Sequence, residues 1–258
     1  MPHLNIQNTP LYYEEKGRGM PVVFIHGMGL SHVNWHGQVH YFSKNFRTIC
    51  YDMRGHGRSG ITAIKRPEEY LPTLSQDLKH LLDHLMIKKA HFIAYSTGTL
   101  VLLQFLSDHQ DMCERAVLTG AFPRLGNPYM YAKVGMSYLL TLLNASEYEA
   151  RGVARSNGAN EKEIALFTDE ALKVRRSEAL LLLRTLFSFD LTAFLPQITV
   201  PTLLLYGGNE RHMMKYRHIM LTSMPRAEVC LVPKTSHACP TKACDVFNAL
   251  VEDFLEAR

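Results

Sequence analysis

The sequence predicts an α/β fold in which a mostly parallel sheet of seven or eight strands is flanked by helices, and two observations support this. Short β-rich runs alternate along the chain with amphipathic helical patterns, as expected when helices connect parallel strands. The chain has 258 residues, of which 47% are hydrophobic, so it can bury the core of one large domain. The predicted strands are Leu4–Gln7, Leu11–Glu15, Val22–His26, Arg47–Asp52, His91–Tyr95, Ala116–Ala121, Thr202–Tyr206 and Val229–Val232.

Local patterns account for each predicted element in order. The first two runs form an opening hairpin, and the later ones are short apolar stretches typical of buried strands. Thr73 and Gln76 form a capping box that predicts a helix start, and leucines recur at helical spacing from position 74 to position 85. The run Thr99–Leu106 predicts a helix directly after a strand. An apolar stripe from Val246 to Leu255 predicts a final helix docked on the sheet.

The segment between Pro123 and Pro196 contains helical patterns only. Its predicted helices are Tyr131–Leu143, Lys162–Val174 and Ser177–Phe187. Because strands resume afterwards, we expect residues 123–196 to form an inserted helical lobe, and residues 1–122 and 197–258 to form the core domain. We expect the lobe to cover the carboxyl edge of the sheet, where open α/β folds bind ligands.

Composition excludes several classes of protein. Lysine and arginine total 28 against 24 aspartate and glutamate, and these charges are scattered, so nothing indicates a nucleic-acid partner. No apolar run reaches the roughly 18 residues of a membrane span. Residues 1–5 lack the features of a secretory signal, so we expect a cytoplasmic protein. The five cysteines form no C-x-x-C pair, so we expect free thiols. The expected partner is a small-molecule substrate.

The motif Ala94-Tyr95-Ser96-Thr97-Gly98 lies between a predicted strand and a predicted helix, which is the setting of a nucleophile elbow. Serine at such a turn takes a strained backbone conformation, so the residues two positions away must be small, as Ala94 and Gly98 are. A small-x-Ser-x-Gly match arises by chance in roughly one chain in nine of this composition, so its context decides its meaning.

That context is His26-Gly27-Met28-Gly29, directly after another predicted strand. Glycines at this turn let a backbone N–H face the serine, and we expect it to be that of Met28. The N–H of Thr97, at the start of a helix, faces the same spot. Two such donors predict an oxyanion hole beside Ser96.

Five segments together resemble the α/β-hydrolase superfamily, in particular its single-domain members with a helical lid. They are His26–Gly29, Asp52–Ser59, Ala94–Gly98, Val200–Gly207 and Ser236–His237, so the resemblance covers essentially the whole chain. It implies an α/β-hydrolase fold with an eight-stranded sheet. It also implies a catalytic triad in the chain order serine, acid, histidine.

The resemblance also assigns the triad positions. Ser96 is the nucleophile, and Glu210 takes the place of the acid, three residues after the glycine that ends a strand. His237 follows the last strand and precedes the final helix. Ala94, Thr99 and Ser236 stand where relatives often have glycine, and Glu210 stands where aspartate is commoner.

Two other motifs have weaker functional interpretations. Residues 55–60 match G-x-G-x-x-G, the motif of a dinucleotide site. Such a site needs a helix directly after the motif, but Ile61–Pro72 contains two prolines and no helical periodicity. We therefore expect a structural turn braced by Asp52 and Arg54. Histidines 32, 36 and 40 recur every four residues. No acidic residue accompanies them in the H-E-x-x-H manner, so a solvated helix face is favoured over a metal site.

These observations predict a serine hydrolase that cleaves a small, largely apolar ester through a Ser-His-Glu triad and an acyl-enzyme, with no metal or other cofactor. A carbon–carbon bond hydrolase, a lactonase and a cofactor-free perhydrolase use the same triad, and a slow-turnover ligand-binding or signalling protein can retain it. Candidates for the inner surface of the lobe, which can equally form its own core, are Met130, Tyr131, Met136, Tyr138, Leu183 and Phe187.

Overall fold

The fold is an eight-stranded sheet with helices on both faces, seen in a computed structural model that describes residues 3–61 and 63–257. The strand order is β1-β2-β4-β3-β5-β6-β7-β8. The β1/β2 and β2/β4 pairs are antiparallel and every other pair is parallel, so the predicted fold class is confirmed. The strands are β1 His3–Ile6, β2 Thr9–Lys16, β3 Pro21–Ile25, β4 Arg47–Tyr51, β5 Ala90–Tyr95, β6 Cys113–Thr119, β7 Thr202–Gly207 and β8 Ala227–Val232.

Ten α-helices accompany these strands within the described ranges. Those of the core are α1 His36–Phe42, α2 Pro67–His84, α3 Gly98–His109, α8 Met214–Ser223, α9 Cys239–Lys242 and α10 Cys244–Glu256. Those between β6 and β7 are α4 Pro128–Leu142, α5 Ser146–Asn157, α6 Glu161–Ala171 and α7 Arg176–Ser188.

The alternation of side chains along the central strands divides the core into two layers. Val23 and Phe92 pack on one face with the leucines of α2 and α3. Phe24 and Ile93 pack on the other face with apolar residues of α1 and α10. Because both faces are covered, these strands are continuous apolar runs, and their carboxyl ends meet at one edge of the sheet.

Helix α2 begins earlier than the capping box predicted. It starts at Pro67, with Glu68 and Glu69 in its first turn, and Pro72 lies inside it. Proline at the first helical position needs no hydrogen-bonded N–H, and carboxylates favour a helix start. Thr73 is therefore not a cap, and its hydroxyl donates to Glu69 O at 2.9 Å. The prediction that Ile61–Pro72 is wholly non-helical was wrong, although no helix follows Gly60 directly.

The inserted segment contains one more helix than predicted, α5, and its sequence explains why. This helix is mostly polar and buries only Ala150, Ala154 and Asn157, which lack the bulk of a leucine stripe. The other three helices overlap the predicted ones.

Two expectations based on composition can be compared with the described residues. All five cysteines are free, and three of them are buried. No helix in residues 3–61 or 63–257 has the length and apolar character needed to cross a bilayer.

Candidate active site

Ser96 lies at a tight turn between β5 and α3, as the elbow motif predicts. Its φ is 54°, in the left-handed region of backbone conformation. For residues other than glycine, this conformation is unfavourable in free energy. The turn is held in place because Ser96 N–H donates to Thr119 O at 2.9 Å. Gly98 is required, since a Cβ at that position would lie 2.4 Å from His26 O. The hydroxyl is thus presented at the carboxyl edge of the sheet.

Glu210 and His237 lie on the loops that follow β7 and β8. The two loops press together at Gly207, where an added Cβ would lie 2.1 Å from Ser236 O. The Glu210 loop is closed by backbone hydrogen bonds, including Glu210 N–H to Gly207 O at 3.0 Å. Because β7 and β8 are parallel neighbours, the Glu210 carboxylate and the His237 imidazole lie side by side at the same edge of the sheet.

The three residues predicted to form a triad are in hydrogen-bond contact. His237 Nε2 lies 2.9 Å from Ser96 Oγ, and His237 Nδ1 lies 2.6 Å from Glu210 Oε1. The Glu210 side chain has no exposed surface, whereas that of His237 is 27% exposed. This is the order of groups in which an imidazole can take a proton from a hydroxyl while a buried carboxylate holds its other nitrogen.

Two residues that the sequence analysis did not single out fix the imidazole. The Tyr95 ring packs on the His237 ring, with centroids 5.1 Å apart. Gly120 has a φ of 63°, and an added Cβ would lie 2.5 Å from His237 Cε1. A glycine directly after β6 was the available signal for the second contact, whereas the first depends on tertiary packing.

The two residues that carry the predicted oxyanion donors, Met28 and Thr97, line the same cavity as Ser96. The Gly27 turn approaches so closely that an added Cβ would lie 3.1 Å from Ser96 Cβ. Thr97 is the N-cap of α3. Neither backbone N–H donates to any acceptor within residues 3–61 and 63–257, so both are available to a ligand.

A neutral histidine anchors the turn that carries Met28. His26 is fully buried, and burial lowers its pKa to about 3. Its Nε2 accepts from Met53 N–H at 3.0 Å, while its Nδ1 lies 2.8 Å from Gly27 O. The ring therefore ties the β3 and β4 loops together without adding charge.

Asp52 braces neighbouring loops, as expected, through the backbone N–H groups of His32 and Arg58, whereas Arg54 braces helix α2. Burial raises the pKa of Asp52, but hydrogen bonds from His32 outweigh it and hold that pKa below its usual range. Arg54 forms a two-pronged pair with Asp77 at 2.5 and 2.7 Å.

The three histidines at positions 32, 36 and 40 do not share a solvated helix face, so that prediction was wrong for His32. Its Nδ1 lies 2.8 Å from Asp52 Oδ1 in a buried short turn before α1. His36 faces Glu163 at 3.4 Å, and His40 is exposed. Within the described residues, no cluster of three or more histidine, cysteine, aspartate or glutamate side chains is placed to hold a metal ion.

A cavity of about 700 Å³ opens above Ser96, between the sheet edge and the inserted helices. Its charged lining comprises Lys133, Lys242 and Glu149, and both oxygens of this glutamate accept hydroxyl hydrogen bonds from α4. Apolar lining includes Met28, Leu30, Phe122, Met130, Val134, Met136, Leu140 and Leu186.

The six candidates for the inner surface of the lobe divide among three locations. Met130 and Met136 line the cavity. Leu183 is fully buried core. Tyr131 and Tyr138 instead pack on Phe187, with ring centroids 6.4 and 6.3 Å apart, outside the cavity lining. Helical spacing alone did not distinguish these positions.

Comparison with known proteins places this architecture among hydrolases. Residues 20–160 match the family model described as alpha/beta hydrolase fold. A putative carbamate hydrolase RutD of Stutzerimonas stutzeri is 28% identical, covering 95% of this chain and 96% of its own.

Solved structures share the fold at low identity. An enol-lactonase from Burkholderia xenovorans has a TM-score of 0.85 at 24% identity, covering 98% of this chain and 99% of its own. An esterase from Exiguobacterium antarcticum has a TM-score of 0.89 at 19% identity, covering 99% of each chain.

Proposed function

The chain belongs to the α/β-hydrolase fold family, and from that premise we propose that it is a serine hydrolase that cleaves small, largely apolar carboxylic esters. The observation that carries the proposal is the continuous contact from hydroxyl to imidazole to carboxylate, at 2.9 and 2.6 Å, on a strained elbow. A purely structural role gives no reason to maintain backbone strain at Ser96.

The first half of the proposed reaction forms an acyl-enzyme. His237 Nε2 takes the proton of Ser96 Oγ as this oxygen attacks the ester carbonyl carbon. The carbonyl oxygen becomes negative and accepts hydrogen bonds from the N–H groups of Met28 and Thr97. Glu210 holds the imidazole in the required tautomer and stabilises its positive form. The imidazolium then gives its proton to the departing alcohol.

The second half returns the enzyme to its starting state. His237 takes a proton from water, which attacks the acyl carbon, and Ser96 leaves with that proton. Every proton transfer uses groups of this chain and water, so the proposal includes no metal or organic cofactor.

We assign residues 123–196 the role of a lid over the reacting groups. Support comes from Met130, Met136 and Leu186, which form part of the apolar wall of the cavity that Ser96 also lines. An apolar wall favours a substrate whose acyl or alcohol part is uncharged. The cavity volume of about 700 Å³ suits a small molecule.

Organophosphate labelling tests the nucleophile. We expect one phosphonyl group per wild-type chain, located on Ser96 by peptide mass spectrometry, and none in the folded Ser96→Ala variant. Ser156→Ala is the matched control, because Ser156 also lines the cavity. Labelling that persists in Ser96→Ala would place the nucleophile elsewhere.

Steady-state turnover separates an enzyme from a ligand-binding protein with the same site. We expect many turnovers on short p-nitrophenyl esters, whereas a single stoichiometric burst would contradict an enzymatic role. A panel of esters, lactones and vinylogous diketones then ranks ester cleavage against the other reactions open to the triad. Exclusive activity on lactones or diketones would overturn the ester assignment.

A further inference from the structure

A second imidazole lies beside the carboxylate of Glu210. His212 belongs to the short turn Arg211–Met213 after β7, and its Nε2 is 3.5 Å from Glu210 Oε1. The same oxygen is 2.6 Å from His237 Nδ1. His212 also lines the cavity above Ser96, with 30% of its side chain exposed.

The Glu210 carboxylate has few groups to hold it. Its Oε2 is buried and has no hydrogen-bond partner in the described part of the chain. Glutamate has one more rotatable bond than aspartate, so a carboxylate held at one oxygen can turn away from His237. A second N–H group that closes on Oε1 would therefore restrict the atom that must stay aligned with the His237 imidazole.

The position of His212 is set by the start of α4. Its ring packs on the Tyr129 ring with centroids 4.6 Å apart. Its backbone carbonyl accepts from Asn127 Nδ2 at 3.2 Å. The inserted helix thereby supports the ring that faces the acid.

His212 is suited to act as a neutral donor. The titratable groups that face it are Glu210 and His237 from the β7 and β8 loops, and Tyr129 and Lys133 from α4. Burial lowers its pKa most, Lys133 and His237 lower it further, and Glu210 opposes them, with a net decrease. A neutral ring adds no positive charge to compete with a His237 imidazolium.

We infer that His212 is a positioning residue whose Nε2–H, 3.5 Å from Glu210 Oε1 in the free protein, closes to a hydrogen bond during turnover and keeps this oxygen in line with His237 Nδ1. It touches no reacting atom and acts through the carboxylate. This inference rests on the proposed function, because it matters only if the three groups perform turnover.

Two substitutions separate positioning from packing. His212→Leu removes the donor, and His212→Gln keeps an N–H near the Nε2 position. We expect kcat of His212→Leu on p-nitrophenyl butyrate to fall by about three- to tenfold, the effect of one lost hydrogen bond, with KM within about twofold of wild type. His212→Gln is expected to retain kcat within about twofold of wild type at pH 8.

His218→Leu is the matched control, because His218 is an exposed histidine on α8, and it should leave both constants unchanged. Circular dichroism melting verifies that each variant is folded. Unchanged kcat in His212→Leu, equal losses in the leucine and glutamine variants, or a raised KM with normal kcat would overturn the inference. Absence of wild-type turnover and of Ser96 labelling would instead refute the proposed function.

Discussion

Replacing Tyr95 with phenylalanine tests how the elbow is fastened to the inserted helices. The buried Tyr95 hydroxyl donates to Asn157 Oδ1 at 2.8 Å, and Asn157 is the last residue of α5. The Asn157 side-chain nitrogen donates to Val153 O at 2.8 Å, so the amide is held in one orientation. Removing the hydroxyl leaves Oδ1 without its donor while the Tyr95 ring stays against His237.

The expected cost follows from that buried contact. Losing the hydrogen bond and leaving a buried acceptor unpaired lowers the free energy of unfolding by about 1–3 kcal/mol. For a chain of this size, that corresponds to a decrease in Tm of about 2–12 °C. The Tyr95 pKa is raised well above its usual value by burial, so the hydroxyl is a neutral donor throughout the experiment.

Urea denaturation followed by circular dichroism measures the difference, with Tyr51→Phe as the matched control. The Tyr51 hydroxyl is also buried, but no hydrogen-bond partner for it lies in residues 3–61 or 63–257. Removing it should leave the free energy of unfolding unchanged or higher, at an equal m value. Equal losses in the two variants, or no loss in Tyr95→Phe, would refute the reasoning.

Three further predictions concern the site and acid pH. Gly120→Ala places a methyl group 2.5 Å from the present position of His237 Cε1, so we expect a folded protein with most ester turnover lost, and unchanged kcat would contradict this. Glu210→Gln should lower kcat on the order of ten-thousand-fold in steady-state assays, and a loss below about tenfold would count against a triad role. Burial lowers the pKa of His26 to about 3 and that of His91 to about 4 from 6.5, so both stay neutral when folded and become protonated on unfolding. The contribution of these two histidines to the free energy of unfolding should therefore be constant above about pH 7 and decrease below about pH 6.5, by about 2 kcal/mol per histidine at pH 5. His91→Gln should weaken this acid dependence in urea titrations, and an unchanged slope would exclude the contribution of His91.

The strands were predictable because buried parallel strands are short apolar runs with recognisable ends. All eight predicted strands overlap observed ones within a few residues. Helix boundaries were less predictable. Helix α2 begins at Pro67, whereas the capping box predicted a start at Thr73. The buried alanines of α5 gave no strong periodic hydrophobic pattern.

The residues at the candidate site were predictable to different degrees. Ser96 lies within a local motif whose backbone strain dictates its neighbours, and the order of strands along the chain places Glu210 and His237 on adjacent loops. The contact of Tyr95 with His237 joins residues far apart in the chain, so no local pattern predicts it. The glycine that follows β6 indicates a close approach at position 120, but not that His237 is the residue that approaches.

Local sequence accounts for the strands, most of the helices and the identity of the groups able to react, because these depend on periodicity, turn geometry and side-chain chemistry. Whether those groups meet depends on the packing of the whole chain, since residues separated by 141 and 27 positions must reach hydrogen-bond distance. That packing also decides which residues of the inserted helices face the cavity, because helical spacing defines a stripe but not the surface against which that stripe packs.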